Sequence, residues 1–230
     1  NYGIKTGLND AFIISGEKKD ELISQDPKSA EIIRPILRGR DIKRYSYKFA
    51  DLWVILAGFG SYKYLENDYP AVYKHLLTYK EKLAQRGQCR YTSSGKINSN
   101  KEYPGQHHWL ELDNNPSKEY LDDFSKQKIV WGNLCLSAQY TLAEEGLFIS
   151  APSPVITNGN KYLLSVLNSK VADWYVRQLG VTRNGGYFEY KPMFVEKIPI
   201  PFVNDDTLSK FEAYVDEILK LKNNSMDSSE

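Results

Sequence analysis

The sequence predicts a mixed α+β fold, and three observations carry that prediction. Apolar residues recur at helical spacing in three separated stretches, short apolar runs of strand length lie between them, and no internal repeat imposes a solenoid order. Each element follows from local chemistry.

Tyr2 to Ile14 reads as a glycine-containing loop running into a short strand, Ala11-Phe12-Ile13-Ile14, broken by Ser15-Gly16. Glu17 to Ser24 suits a short helix stopped before Asp26-Pro27, and Pro35 argues against a long helix over Ala30 to Leu37. Leu52 to Ala57 predicts a strand buried on both faces. Asp68-Tyr69-Pro70 offers a cap and a first-turn proline. Val72, Leu76, Tyr79 and Leu83 then follow as one helical face, ending at Arg86-Gly87. The polar stretch Gln88 to His108 is too long for an idle connection. Strands are predicted at Trp109–Leu112, at Lys128–Trp131, in the run up to Tyr140, at Leu147–Ser150 and at Val155–Thr157. Tyr162 to Leu179 predicts a second helix. Asn184-Gly185-Gly186 marks a turn before the Tyr187–Tyr190 strand, and Ile198-Pro199-Ile200-Pro201 is extended. A final helix spans about Thr207 to Lys222, followed by a polar tail expected to be disordered.

Composition narrows the class. The chain has 230 residues, 41% hydrophobic and 26% charged, with a formal net charge of +1, which argues against indiscriminate electrostatic binding to nucleic acid. Any grip on a polyanion must come from a local basic face. No apolar run approaches the ~18 residues of a membrane span, and no leader of the signal-peptide kind is evident. Cys89 and Cys135 read as reduced thiols of a cytoplasmic protein. The start at Asn1 and the immediately foldable sequence suggest a piece of a longer polypeptide.

Several blocks together resemble the TaqI-like C-terminal specificity domain. They are Gly3-Ile4-Lys5-Thr6-Gly7-Leu8-Asn9-Asp10-Ala11-Phe12-Ile13, Pro35-Ile36-Leu37-Arg38-Gly39-Arg40-Asp41-Ile42, the helix ending at Arg86 with Trp109-Leu110-Glu111-Leu112, Leu167-Asn168-Ser169-Lys170, and Ile198-Pro199-Ile200-Pro201. The blocks keep the family order over roughly the first 200 residues. The resemblance implies a mixed α/β domain that reads double-stranded DNA, usually through the major groove. The parent would be a bacterial type IIG-like restriction-modification enzyme or N6-adenine DNA methyltransferase. It implies residues 1–203 as the recognition domain and 204–230 as a C-terminal helix and disordered tail. It also implies no cofactor in this chain, with S-adenosylmethionine bound by an N-terminal methyltransferase domain of the parent. Specificity subunits of type I systems share the Leu-Asn-Ser and Ile-Pro-x-Pro flavour and remain an alternative.

Candidate contact residues fall in four places. Arg38, Arg40, Lys43, Arg44 and Lys48 form the densest basic segment and suit phosphates, with Gly39 permitting close backbone approach. In the Arg86–His108 loop, Arg86 and Arg90 are candidates for guanine, and Asn98, Asn100 and Gln106 for adenine. Tyr91, Tyr103, His107 and His108 are candidates to stack or hydrogen-bond at the groove edge, and Lys96 is a further DNA-contact candidate. Lys5 and Thr6 suit either DNA backbone or a joint to a catalytic domain. Arg183 and Asn184 suit either a phosphate or a plain hairpin tip. The basic segment and the loop are expected to share one positive concavity.

Bond-making motifs are missing from the sequence. The Asn/Asp-Pro-Pro-Tyr/Phe motif does not occur, and Gly58-Phe59-Gly60-Ser61-Tyr62-Lys63 lacks dinucleotide or phosphate-loop spacing. Glu189-Tyr190-Lys191 lacks the upstream Pro-Asp of a nuclease, and the His and Cys residues give no paired zinc spacing. The chain is therefore read as non-catalytic by itself. The rival readings are a protein-docking module using Phe211, Val215 and Ile218, and a standalone enzyme with unrecognised motifs.

Overall fold

The computed structural model describes residues 2–99, 101–114 and 117–227. It is a mixed α+β fold in which the chain alternates between two compact units. The first comprises Asn1–Gly3, Leu37–Ala50 and Asp122–Glu230; the second comprises Ile4–Ile36 and Asp51–Leu121.

In the second unit, strand Leu52–Ile55 lies between Ile13–Ser15 and Ile33–Leu37, antiparallel to both, with Ile13 opposite Val54 and Ile33 opposite Ile55. The predicted Ala11–Ile14 strand begins two residues later, because Asn9–Phe12 forms a helical turn first. Ser15 caps the Gly16–Gln25 helix by accepting from the Lys18 amide at 3.2 Å, and Asp26 stops it and caps the following Pro27–Glu31 turn. Pro70 opens the Pro70–Leu77 helix as expected. The predicted single helix is broken, however. The Thr78 hydroxyl donates to the His75 carbonyl at 2.7 Å and the Tyr79 amide turns to Leu76, so the helix restarts at Lys80–Ala84. Trp109–Leu112 is a turn, not the expected strand, because buried Glu111 bends back to accept from the amides of Gly60 and His108.

In the first unit, Lys128–Trp131 is the central strand of a three-stranded sheet, flanked by Val155–Thr157 and Tyr140–Ala143. Its four residues are all buried. A second three-stranded sheet runs Thr182–Arg183, Tyr187–Glu189, Leu134–Cys135. Ile42–Lys43 and Ser46–Tyr47 form a hairpin, with Tyr45 at φ 60° at its turn. The predicted 162–179 helix divides into Lys161–Leu167 and Lys170–Leu179. Asn168 lies buried at the break, exchanging hydrogen bonds with both backbone groups of Tyr140, and Ser169 caps the second segment. Trp131, Tyr140, Leu164, Leu167, Val176, Tyr190 and Val215 share one apolar core, each large side chain contributing about 1.5–3 kcal/mol on burial.

The last helix spans Asp205–Asp227, so the expected disordered tail is helical through Asp227. Residues 228–230 lie outside the described residues. Val215 on this helix is 1% exposed and belongs to the core, which removes it from the docking face expected with Phe211 and Ile218. Cys89 and Cys135 are buried free thiols. Among the described residues, no helix is long and apolar enough to cross a membrane.

Candidate nucleic-acid interface

The basic segment Arg38–Arg44 does not act as a uniform charged loop. Gly39–Asp41 closes a 3-10 turn in which the Arg38 guanidinium makes a bidentate pair with Asp41, both bonds at 2.8 Å, while the Arg38 amide donates to the same carboxylate at 2.9 Å. Burial pushes the Asp41 carboxyl up, but these hydrogen bonds and the Arg38 charge outweigh it and hold the pKa below its usual value. Arg38 is thus a clasp on its own turn, correcting its expected place among the free phosphate cations. Arg44 is also partly committed: it donates to the Asn168 carbonyl at 2.8 Å and lies over the Tyr45 ring.

Arg40 and Lys43 remain. Both side chains are exposed, neither forms a salt bridge among the described residues, and both line a cleft of about 370 Å³ within the first unit. Gly39 forms part of its wall for a steric reason: a Cβ there would stand 2.7 Å from Ser153 Oγ. Asn133, Gln139, Ser153 and Tyr187 complete the polar lining, and Leu134 and Leu136 stand 48% and 54% exposed beside them.

The cleft wall is rigidly held. Cys135 Sγ donates to the Gly132 carbonyl at 3.3 Å, and burial drives its thiol pKa up to about 11, so it serves as a packed apolar group. The Leu136 carbonyl accepts from Arg177 at 2.8 Å, the Ala138 amide donates to Asp173 at 2.8 Å, and the Tyr140 amide donates to Asn168 at 3.1 Å. Asn133 is fixed through its carbonyl, which accepts from the Tyr190 amide at 2.8 Å. Trp131 next to it donates to the Tyr190 carbonyl at 2.6 Å.

Beside the cleft stands the hairpin tip Asn184-Gly185-Gly186, where both glycines take left-handed φ values of 76° and 78°. Arg183 lies at this tip, but it is tied to Glu189, donating through Nε at 2.7 Å, and Lys191 pairs with the same carboxylate at 2.7 Å. Hydrogen bonds from Lys191 and Arg183 hold Glu189 below the usual carboxylate range. The Glu189-Tyr190-Lys191 stretch is therefore a hairpin brace, and Asn184 stays exposed.

The second unit reassigns the predicted loop. Arg86 is 8% exposed and directs five hydrogen bonds inward, to the carbonyls of Leu83, Thr6, Trp109 and Glu111 and to Asp113. It is an internal clamp, not a guanine reader. His107 is fully buried between the His108 carbonyl, the Cys89 thiol and Asp113. Burial pushes its pKa down, but Asp113, Cys89 and the His108 carbonyl outweigh this and raise it to about 9. Thr6 is 3% exposed and its hydroxyl donates to Asn9, so it too leaves the contact list. Lys5 is half exposed and pairs with Asp113 at 3.6 Å. Arg90, Tyr91 and Lys96 are exposed, Arg90 donating to the Tyr91 hydroxyl at 2.9 Å, and the Asn98 amide holds the loop by donating to Pro104 at 2.8 Å. Asn100 lies outside the described residues. The Gly58–Lys63 stretch has its turn filled by the Glu111 carboxylate. The basic segment and the loop expected to share a concavity belong to different units.

The first unit thus brings two exposed cations and a braced glycine hairpin to one cleft on an α+β scaffold. The TaqI-like C-terminal specificity domain matches residues 34–200, and the chain belongs to that family. The type II methyltransferase M.MjaIV of Methanocaldococcus jannaschii is 23% identical over 230 residues, covering 96% of this chain and 71% of that protein. Among solved structures, the type IIL restriction-modification enzyme MmeI, determined in complex with DNA, aligns with a TM-score of 0.64 at 14% identity. That alignment covers 97% of this chain but only 27% of MmeI, so the chain spans about a quarter of that enzyme's length.

Gln139, Asn133 and Tyr187 were not singled out in the sequence. A lone Gln in an apolar run carries no local signal of what strand pairing will place beside Arg40.

Proposed function

We propose that this chain is the double-stranded DNA target-recognition domain of a restriction-modification enzyme, positioning a site for methyl transfer by another part of a longer parent. Family membership and the two relatives support this reading. In it, S-adenosylmethionine belongs to the parent's methyltransferase domain, of the adenine-specific type IIG-like kind. This chain supplies grip and sequence discrimination, since a base-flipping enzyme must hold flanking pairs while one nucleotide leaves the stack.

The observation that carries the reading is that Arg40 and Lys43, two exposed cations of the basic segment, open onto one cleft. They grip phosphates. Lys5, Arg44, Arg183 and Asn184, and on the second unit's loop Arg90, Tyr91, Lys96 and Asn98, are secondary contacts in the same reading.

Filter binding to duplex DNA between 50 and 200 mM salt tests it. Each phosphate neutralised contributes about −0.9 to the log–log slope, so Arg40→Ala with Lys43→Ala should flatten the slope by roughly 1.8. The loss of affinity should be equal on all sequences. Duplex binding that is indifferent to salt would refute the proposal.

A further inference from the structure

We propose that the Leu134–Gln139 segment of the first unit reads one A·T base pair, the Gln139 amide taking the adenine edge and Leu134 and Leu136 the thymine methyl. This rests on the duplex-recognition reading above and names the base that the cleft selects.

Three observations converge. Gln139, half-buried on the cleft wall, has no side-chain hydrogen bond of its own among the described residues. Its amide carries one donor and one acceptor at the spacing of adenine N7 and the free N6–H, a pair that no other base presents on its major-groove edge.

The second observation is preorganisation. Gln139 sits between Ala138, whose amide is tied to Asp173, and Tyr140, whose amide and carbonyl are both tied to Asn168. The backbone on either side of this residue is thus ordered before binding, and only the Gln139 rotamers remain to be fixed.

The third is the pair of leucines. Large aliphatic side chains half exposed beside amides and cations suit the single apolar feature of the major-groove edge, the thymine methyl. Arg40 and Lys43, on the same cleft, would hold the adjoining backbone.

The test is selection of the 230-residue chain on a degenerate duplex library, followed by titration on the selected site. Wild type should select an A·T pair that Gln139→Ala no longer requires, with discrimination at that position falling by about 5- to 150-fold while the other positions persist. Replacing that thymine by uracil should weaken wild type, and Leu134→Ala with Leu136→Ala should abolish the difference. A selected site unchanged by Gln139→Ala, or changed only at a G·C pair, overturns the inference and leaves duplex recognition standing. Salt-indifferent duplex binding, or none, by wild type overturns both.

Discussion

Replacing Arg86 by alanine separates a folding residue from a DNA contact. Its five N–H groups meet five acceptors, four carbonyls and the Asp113 carboxylate, at 2.7 to 3.0 Å. The guanidinium also lies 5.5 Å from the centre of the Phe12 ring. Summing those bonds at roughly 1.5–3 kcal/mol each would exceed what a whole domain has to spare. The relevant quantity is the penalty for leaving four carbonyls and one Asp113 oxygen without their donor, about 3–5 kcal/mol, even with His107 and Lys5 still facing that carboxylate. For a chain of this size that corresponds to a fall of roughly 6–20 °C in melting temperature. Lysine, with three donors and no planar fork, should recover only part of it. Thermal melts followed by circular dichroism provide the readout, with salt-dependent DNA binding measured on the folded variant. Arg86→Ala should melt early with its salt slope unaltered, whereas Arg40→Ala should melt normally with a shallower slope. An Arg86→Ala protein of ordinary melting temperature and a flattened slope would refute the internal-clamp reasoning.

Two further predictions concern stability. His107 carries a pKa raised to about 9 against an ordinary 6.5, so the folded state holds its proton longer than the unfolded chain. Its contribution is complete below pH 6.5 and disappears as pH rises through 9, on the order of 1–3 kcal/mol. Urea midpoints measured from pH 6 to 10 should decline over that window, and His107→Gln should remove this component. At Gly132 a Cβ would meet Cys135 Sγ at 2.7 Å and the Gly39 carbonyl at 3.3 Å, so Gly132→Ala should cost about 1–3 kcal/mol. Adding Cys135→Ala should recover part of that loss in the same denaturation assay; no recovery would locate the strain elsewhere.

The elements that periodicity alone specifies were legible in the sequence, and those decided by a distant partner were not. Pro70 opening a helix, Asp26-Pro27 ending one, the buried Lys128–Trp131 strand and the Asn184-Gly185-Gly186 turn all follow from nearest neighbours. The break at Asn168 does not, because what competes with the helix is the backbone of Tyr140, 28 positions away. Glu111 could not be read as a turn-former for the same reason, since its partner amide at Gly60 lies 51 positions back. The candidate site shows the same division. A count of basic residues from Arg38 to Arg44 finds the segment that borders the cleft, but charge alone does not tell which cation is consumed internally. Asp41 three residues on could have signalled the Arg38 clasp, as a carboxylate at that spacing across a glycine turn is within reach of the first arginine. Nothing near Arg86 in sequence announces its burial, because its acceptors at Thr6, Trp109 and Asp113 are scattered along the chain.

The interleaving of the two units along the chain constrains the transplanting of specificity between relatives. The polypeptide passes from one unit to the other after residues 3, 36, 50 and 121. A single crossover therefore cannot exchange either unit whole. Grafting 51–121 alone would import a foreign Leu52–Ile55 strand and leave behind Ile13–Ser15 and Ile33–Leu37, the neighbours that set its register. Chimeras joined at residues 3, 36, 50 and 121 keep those pairings within one parent. Seams placed inside them would confront mismatched strand faces, and insolubility would then say nothing about which bases either parent prefers.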